Sequence, residues 1–145
     1  MEKRSKKKLW IFAIVAVVLV ASGILLAVIL SGGGSISSGV FIMSSENQNN
    51  GSWTFSAGRA NGYKSISRNL SQEELGNFVV DSSIGDGEMA LILSQGEINQ
   101  TIDLSEGAMK LSAEDMDVNV FIPGQIRIRL EFKNAENLSV KIGWR

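Results

Sequence analysis

Three groups of side chains in this sequence have the types and spacing to do chemistry. Asp81, Asp86 and Glu88 surround one glycine-containing turn, and Glu114, Asp115 and Asp117 crowd a later stretch. Calcium takes about six to eight oxygen ligands from carboxylates and carbonyls, which makes Asp81, Asp86 and Glu88 calcium candidates. The competing reading of both groups is solvated loop acids, because neither has the spacing of a helical calcium-binding loop. Trp53, Tyr63 and Trp144 could form an aromatic platform for sugar rings. Trp53 shares a face with Phe55, however, and Trp144 shares one with Val140 and Ile142, so core is the expectation for both tryptophans. Arg59, Lys64 and Arg68 give the early strands a basic side suited to an anionic wall polymer or lipid headgroups, and with Tyr63 they are the ligand candidates. Against this, alternation places Lys64, Arg68, Arg127 and Arg129 on the outward face of an amphipathic sheet.

What is missing narrows the chemistry further. The chain has no histidine, hence neither the commonest general base nor the commonest transition-metal ligand. It has no cysteine, which excludes disulfides, thiol catalysis and a lipid-modified thiol. Gly-x-Ser-x-Gly and phosphate-cradling glycine motifs are lacking, and Ser-x-x-Lys is lacking beyond the basic head. No enzymatic activity and no cofactor is expected.

The elements that must hold these residues divide sharply. Residues 9–30 form an unbroken run without a charge, starting Leu9-Trp10-Ile11-Phe12 and ending Val28-Ile29-Leu30. About 20 apolar residues suffice to cross a hydrocarbon layer about 30 Å thick, so the run predicts a transmembrane helix. Residues 1–8 are a basic head carrying Lys3, Arg4, Lys6, Lys7 and Lys8, which the positive-inside tendency keeps in the cytoplasm. Of 14 basic and 15 acidic residues, five basic and one acidic lie in that head, leaving nine against fourteen beyond it. An acidic outer part argues against nucleic acid as a partner. Residues 31–51, rich in Gly, Ser, Asn and Gln, read as a flexible linker with a candidate short strand at 40–43.

From Trp53 onward the apolar period is two. Examples are Met89, Leu91 and Leu93; Val118, Val120 and Ile122; Ile126, Ile128, Leu130 and Phe132; and Leu138, Val140 and Ile142. About eight short strands separated by glycine turns predict an all-β antiparallel sandwich of jelly-roll type over 52–145. Val79 and Leu130 are expected in its core. Only Ser71-Gln72-Glu73-Glu74-Leu75 reads as helical, a single turn with a capping start.

The last third carries a resemblance. A strand follows an Asp-Gly turn (Asp86-Gly87), another surrounds Ile102, a Pro-Gly turn (Pro123-Gly124) precedes the penultimate strand, and the last strand ends in Gly143-Trp144. This resembles small exported β-sandwich domains of Gram-positive bacteria tethered by a lipid-modified cysteine or one helix. It is more distantly similar to the sandwich modules appended to secreted bacterial peptidases. The resemblance implies a fold and an extracytoplasmic location, and no catalytic residue; without a cysteine after the apolar run, lipidation does not carry over. The expectation is a non-catalytic, single-pass, membrane-anchored binding or accessory module with its N-terminus in the cytoplasm. Its partners would be the lipid bilayer and an envelope protein or cell-wall polymer. The alternative is a cleaved, secreted domain that binds wall glycan or anionic polymer.

Overall fold

Alternating apolar and polar residues send every second side chain of a strand to the same face. In the computed structural model, which describes residues 35–145, this pattern builds one antiparallel sheet of eight strands. The basic head and the apolar run 9–30 lie outside the described residues; among the described ones no helix is long and apolar enough to cross a membrane. The elements are β1 (Ser35–Ile42), β2 (Ser45–Gln48), β3 (Ser52–Leu70), α1 (Gln72–Gly76), β4 (Val79–Ser83), β5 (Asp86–Gln95), β6 (Ile98–Asp103), β7 (Ala108–Ser112) and β8 (Gly124–Gly143), with a 3-10 turn at Val118–Val120 before β8.

The two long strands, β3 and β8, pair along nearly their whole length and serve both halves of the sheet. One half, layer A, places β2 beside the first part of β3, then the last part of β8, β4 and β7. The other half, layer B, runs β1, the last part of β3, the first part of β8, β5 and β6. Phe55 and Lys64 would stand about 30 Å apart on a straight strand, yet the Lys64 ammonium lies 4.9 Å from the Phe55 ring centroid. The sheet must therefore crease and close on itself. The crease falls where the β3–β8 register shifts between Ala60 and Gly62. There Gly39 and Gly62 face each other with φ of 135° and 127°. A Cβ on Gly62 would lie 2.2 Å from the Ser38 carbonyl oxygen, so only glycine permits this approach. The layers of the expected sandwich are thus halves of one creased sheet rather than the separate sheets of a jelly roll.

The inner faces meet in a core of Trp53, Phe55, Leu91, Leu130, Phe132, Val140, Ile142 and Trp144, all buried. Phe55 packs on Phe132 at 5.3 Å and receives the edge of Phe41 at 5.7 Å. At one end α1 closes the core with Leu75, held by the reciprocal Ser71 and Glu74 capping bonds that its sequence announces. Beside it the segment after β7 contributes Met116, Val118 and Phe121.

Several expectations change. The candidate strand at 40–43 overlaps the second half of β1, while the rest of 35–48, read as linker, forms the start of β1 and all of β2; their polar side chains hide the fact that an edge strand is held by main-chain hydrogen bonds on one side and solvent on the other. Val79 is 47% exposed while its neighbours Phe78 and Val80 are buried, so the apolar triplet points opposite to the expected phase. Val118, Val120 and Ile122 alternate but make no strand, because the chain there caps the end of the core in a 3-10 turn. Leu130 and both tryptophans are core, as the alternation predicted.

Candidate functional site

The crease shifts the phase of β3, and that decides where its cations go. Beyond Gly62 the even-numbered side chains face inward, so Lys64 and Arg68 lie on the same face as buried Ile66 and Leu70. The expected outward row of Lys64, Arg68, Arg127 and Arg129 is therefore split. Only Arg127 and Arg129, on β8, face solvent-side with the polar set. Lys64, 14% exposed at its side chain, donates to Glu46 Oε2 at 2.6 Å. Glu46 Oε1 also accepts from Trp53 Nε1 and Gln48 Nε2, each at 2.9 Å. Arg68 Nη2 donates to Gln48 Oε1 at 3.0 Å, and its guanidinium lies 5.9 Å from the Trp144 ring centroid. Burial pushes the Glu46 carboxyl up, but hydrogen bonds from Lys64, Gln48 and Trp53, with the Lys64 charge, outweigh it and hold the group below its ordinary value. This network latches β2 across the open side of the layers. It pairs Lys64 and Arg68 with side chains of β2.

The remaining candidates separate as well. Arg59 is exposed near the crease and pairs with Glu136 at 3.1 Å. Asp81 pairs with Lys110 at 3.7 Å, Glu88 with Lys133 at 3.2 Å, and Asp86 accepts from the Gly87 amide. Among the described residues no group of three carboxylates is gathered to hold a metal ion. Asp115 accepts from the Ser112 amide and hydroxyl at 2.8 Å, and those two bonds hold its carboxyl below the usual range. Trp144 Nε1 donates to the Asn50 carbonyl from within the core.

Tyr63 alone of the ligand candidates reaches the outward face of layer B, and it does not stand there by itself. Sheet register places Ser38, Tyr63, Glu131, Ala90 and Asp103 in one row across five strands. The next row holds Ile36, Ser65, Arg129, Ile92 and Thr101. Arg129 lies over the Tyr63 ring, its guanidinium carbon 3.9 Å from the centroid, and Nη2 donates to Glu131 Oε1 at 2.8 Å. Ala90, with only a methyl between Glu131 and Asp103, leaves a hollow of about 580 Å³ floored by the sheet. Tyr63, Arg129 and Glu131 line one side of it and Thr101 and Asp103 the other. Ser105 donates its amide to Asp103 Oδ1 at 2.9 Å, and its bonds to that carboxyl hold it below the ordinary value. Asp103 is thus poised as a charged acceptor, opposite to what a general acid needs.

Arg129, Glu131, Ala90, Thr101 and Asp103 were not singled out as ligand candidates from sequence. The signal was present for three of them: Arg129 and Glu131 alternate with Ile128 and Leu130, and Asp103 alternates with Ile102 and Leu104. What alternation lacks is the pairing of strands far apart in sequence, which sets them in one row.

No protein-family model matches the chain. No curated protein matches it. Among solved structures it is similar to TmCBM61 in complex with beta-1,4-galactotriose, at 13% identity, covering 79% of this chain and 88% of that one with a TM-score of 0.44. It is also similar to a mutant of a carbohydrate binding module family 29, at 14% identity over 74% of this chain and 77% of that one, TM-score 0.36. A third is the enzymatically active domain of bacteriophage CBA120 tailspike protein 4, at 7% identity over 78% of this chain but 18% of that one, TM-score 0.41. These are similarities of strand arrangement, and no residue of the site is carried over from them.

Proposed function

We propose that this chain is a non-catalytic glycan-binding module, presented at the outer side of a membrane by its apolar run 9–30, with the sugar lying on the outward face of layer B. The observation that carries the reading is the row Tyr63, Glu131, Ala90 and Asp103 beside Arg129. The Tyr63 ring with the Arg129 guanidinium stacked on it offers a flat surface to the C–H face of a pyranose, and fixed polar groups beside it set orientation. Donors and acceptors are mixed, with Arg129 and Lys133 against Glu88, Glu131 and Asp103 around the same hollow. Such a balance suits a neutral polyhydroxylated ligand, whereas a polyanion would call for a uniformly basic face. The basic head and apolar run support an N-terminus in the cytoplasm and the domain outside.

The test is affinity electrophoresis of the full chain in detergent through gels containing neutral β-linked glucan, galactan or mannan, with wall teichoic acid as the anionic comparison. Retardation by at least one neutral polymer is expected, weakened tenfold or more in Tyr63→Ala. Retardation by none of them, or equal retardation of Tyr63→Ala, would contradict the assignment.

A further inference from the structure

The chain enters the described unit at Ser35, and sheet register shows what else lies at that end. Ser35, Ile66, Ile128, Leu93 and Gln100 form one row across layer B. Beyond this row, on the side from which the chain arrives, stand the β5–β6 turn and the segment leading into β8. Gln95 ties the two together, donating to the Ile122 carbonyl at 2.8 Å and accepting from its amide at 3.0 Å. These tips carry Ile98, 42% exposed, and Ile122, 68% exposed, with Val120 beside it; Ile36, 60% exposed, sits one residue inside the row. Val40, Ile42 and Met43 are exposed at the crease end as well, so exposed apolar side chains do not by themselves choose between the two ends.

The length of chain before Ser35 says what the contact is. Only residues 31–34 separate Ser35 from the end of the apolar run at Leu30. The five steps from Leu30 to Ser35 reach about 17 Å at full extension, while the headgroup region alone takes about 5–7 Å of each leaflet. A domain tethered so closely at this end cannot hold the end far from lipid. We infer that the end carrying Ile36, Ile98, Val120 and Ile122 docks on the bilayer surface, a contact that rests on the membrane anchoring proposed above. The same end bears Glu73 and Glu74 on α1, Glu97 on the β5–β6 turn, and Glu114, Asp115 and Asp117 before β8. Against Arg127, Lys141 and Arg145 at the same end, these six carboxylates leave a net negative charge that opposes an anionic surface, so the partner is a zwitterionic one, met through apolar side chains. Docking in this pose stands the sheet on end, leaving the outward face of layer B open to glycan.

The experiment uses the full chain reconstituted in phosphatidylcholine vesicles. The absence of cysteine lets a single Ile98→Cys, Ile122→Cys or Met43→Cys carry a fluorophore. Met43 is the control, since it is apolar and exposed but lies at the opposite, crease end. Vesicle flotation is scored first, then quenching by a nitroxide placed just below the headgroup. Docking predicts flotation, with labels at 98 and 122 quenched several-fold more than the label at 43, and a smaller difference as phosphatidylglycerol is added at low salt. Flotation with equal, weak quenching at all three overturns docking while the anchor stands. A label at 122 shielded from both the lipid nitroxide and aqueous iodide marks a protein neighbour and overturns lipid docking as well. Failure to float removes the anchor, and docking with it.

Discussion

Lys64 and Arg129 are cations on adjacent strands of the same layer, one facing in and one facing out, and their surroundings differ accordingly. Lys64 is wrapped by Glu46, Phe41 and Phe55 and joins β2 to the inner face. Arg129 lies on Tyr63 and Glu131 with part of its guanidinium open to ligand. The residue type is nearly the same, but the register fault at Gly62 turns one into the core network and leaves the other on the face proposed for recognition. A basic residue on a strand therefore says little until the phase of the strand is known.

Substitutions on the two faces should separate along this line. The largest effect is expected for Leu130→Asp, which buries a charge opposite Lys64 and Leu91 and should abolish the cooperative melt; Val79→Asp, on an exposed site, should melt within about 0.5 kcal/mol of wild type. Gly62→Ala forces a Cβ onto the Ser38 carbonyl at positive φ, and a loss of about 3 kcal/mol in urea unfolding is expected. Lys64→Met removes the charged donor to Glu46 and should cost about 2 kcal/mol without altering glycan binding. Arg129→Ala should do the reverse, leaving stability within about 0.5 kcal/mol while weakening retardation on glycan gels.

The latch also predicts a pH dependence. A carboxyl whose folded value lies below its unfolded one adds stability above the unfolded value and loses it as pH falls through the folded value. Wild type should therefore exceed Glu46→Gln in melting temperature above pH 4.5, with the gap closing as the solution is made more acid. A gap that persisted at low pH would mean that the carboxylate charge is not what holds β2.

Much of the fold was legible because half-buried strands write their burial pattern as alternation. The runs around Met89, Ile128 and Val140 are inside, as is the Trp53 and Phe55 pair, and the Ser71 to Glu74 cap starts a helix. What alternation cannot show is a change of phase within one strand. Nothing local announces that Ala57 and Ala60 face the same way across three residues, and so Lys64 and Arg68 were placed outside. Of the edge strands β1 and β2, only the stretch 40–43 reads as strand in the sequence. Gly39 reads as linker flexibility, while in the fold it is half of the close contact that makes the crease. The site was visible only through Tyr63, because its other members come from β5, β6 and β8 and meet through pairing of distant segments.

The most direct test of the account is an amide-resolved NMR titration of the full chain in detergent micelles with a neutral β-linked hexasaccharide chosen from the gel panel. Shifts are predicted to concentrate at Tyr63, Ala90, Thr101, Asp103, Arg129 and Glu131, one contiguous patch on the outward face of layer B. Shifts confined to the turns at 44–51 and 133–137, or no shifts at saturating sugar, would contradict it.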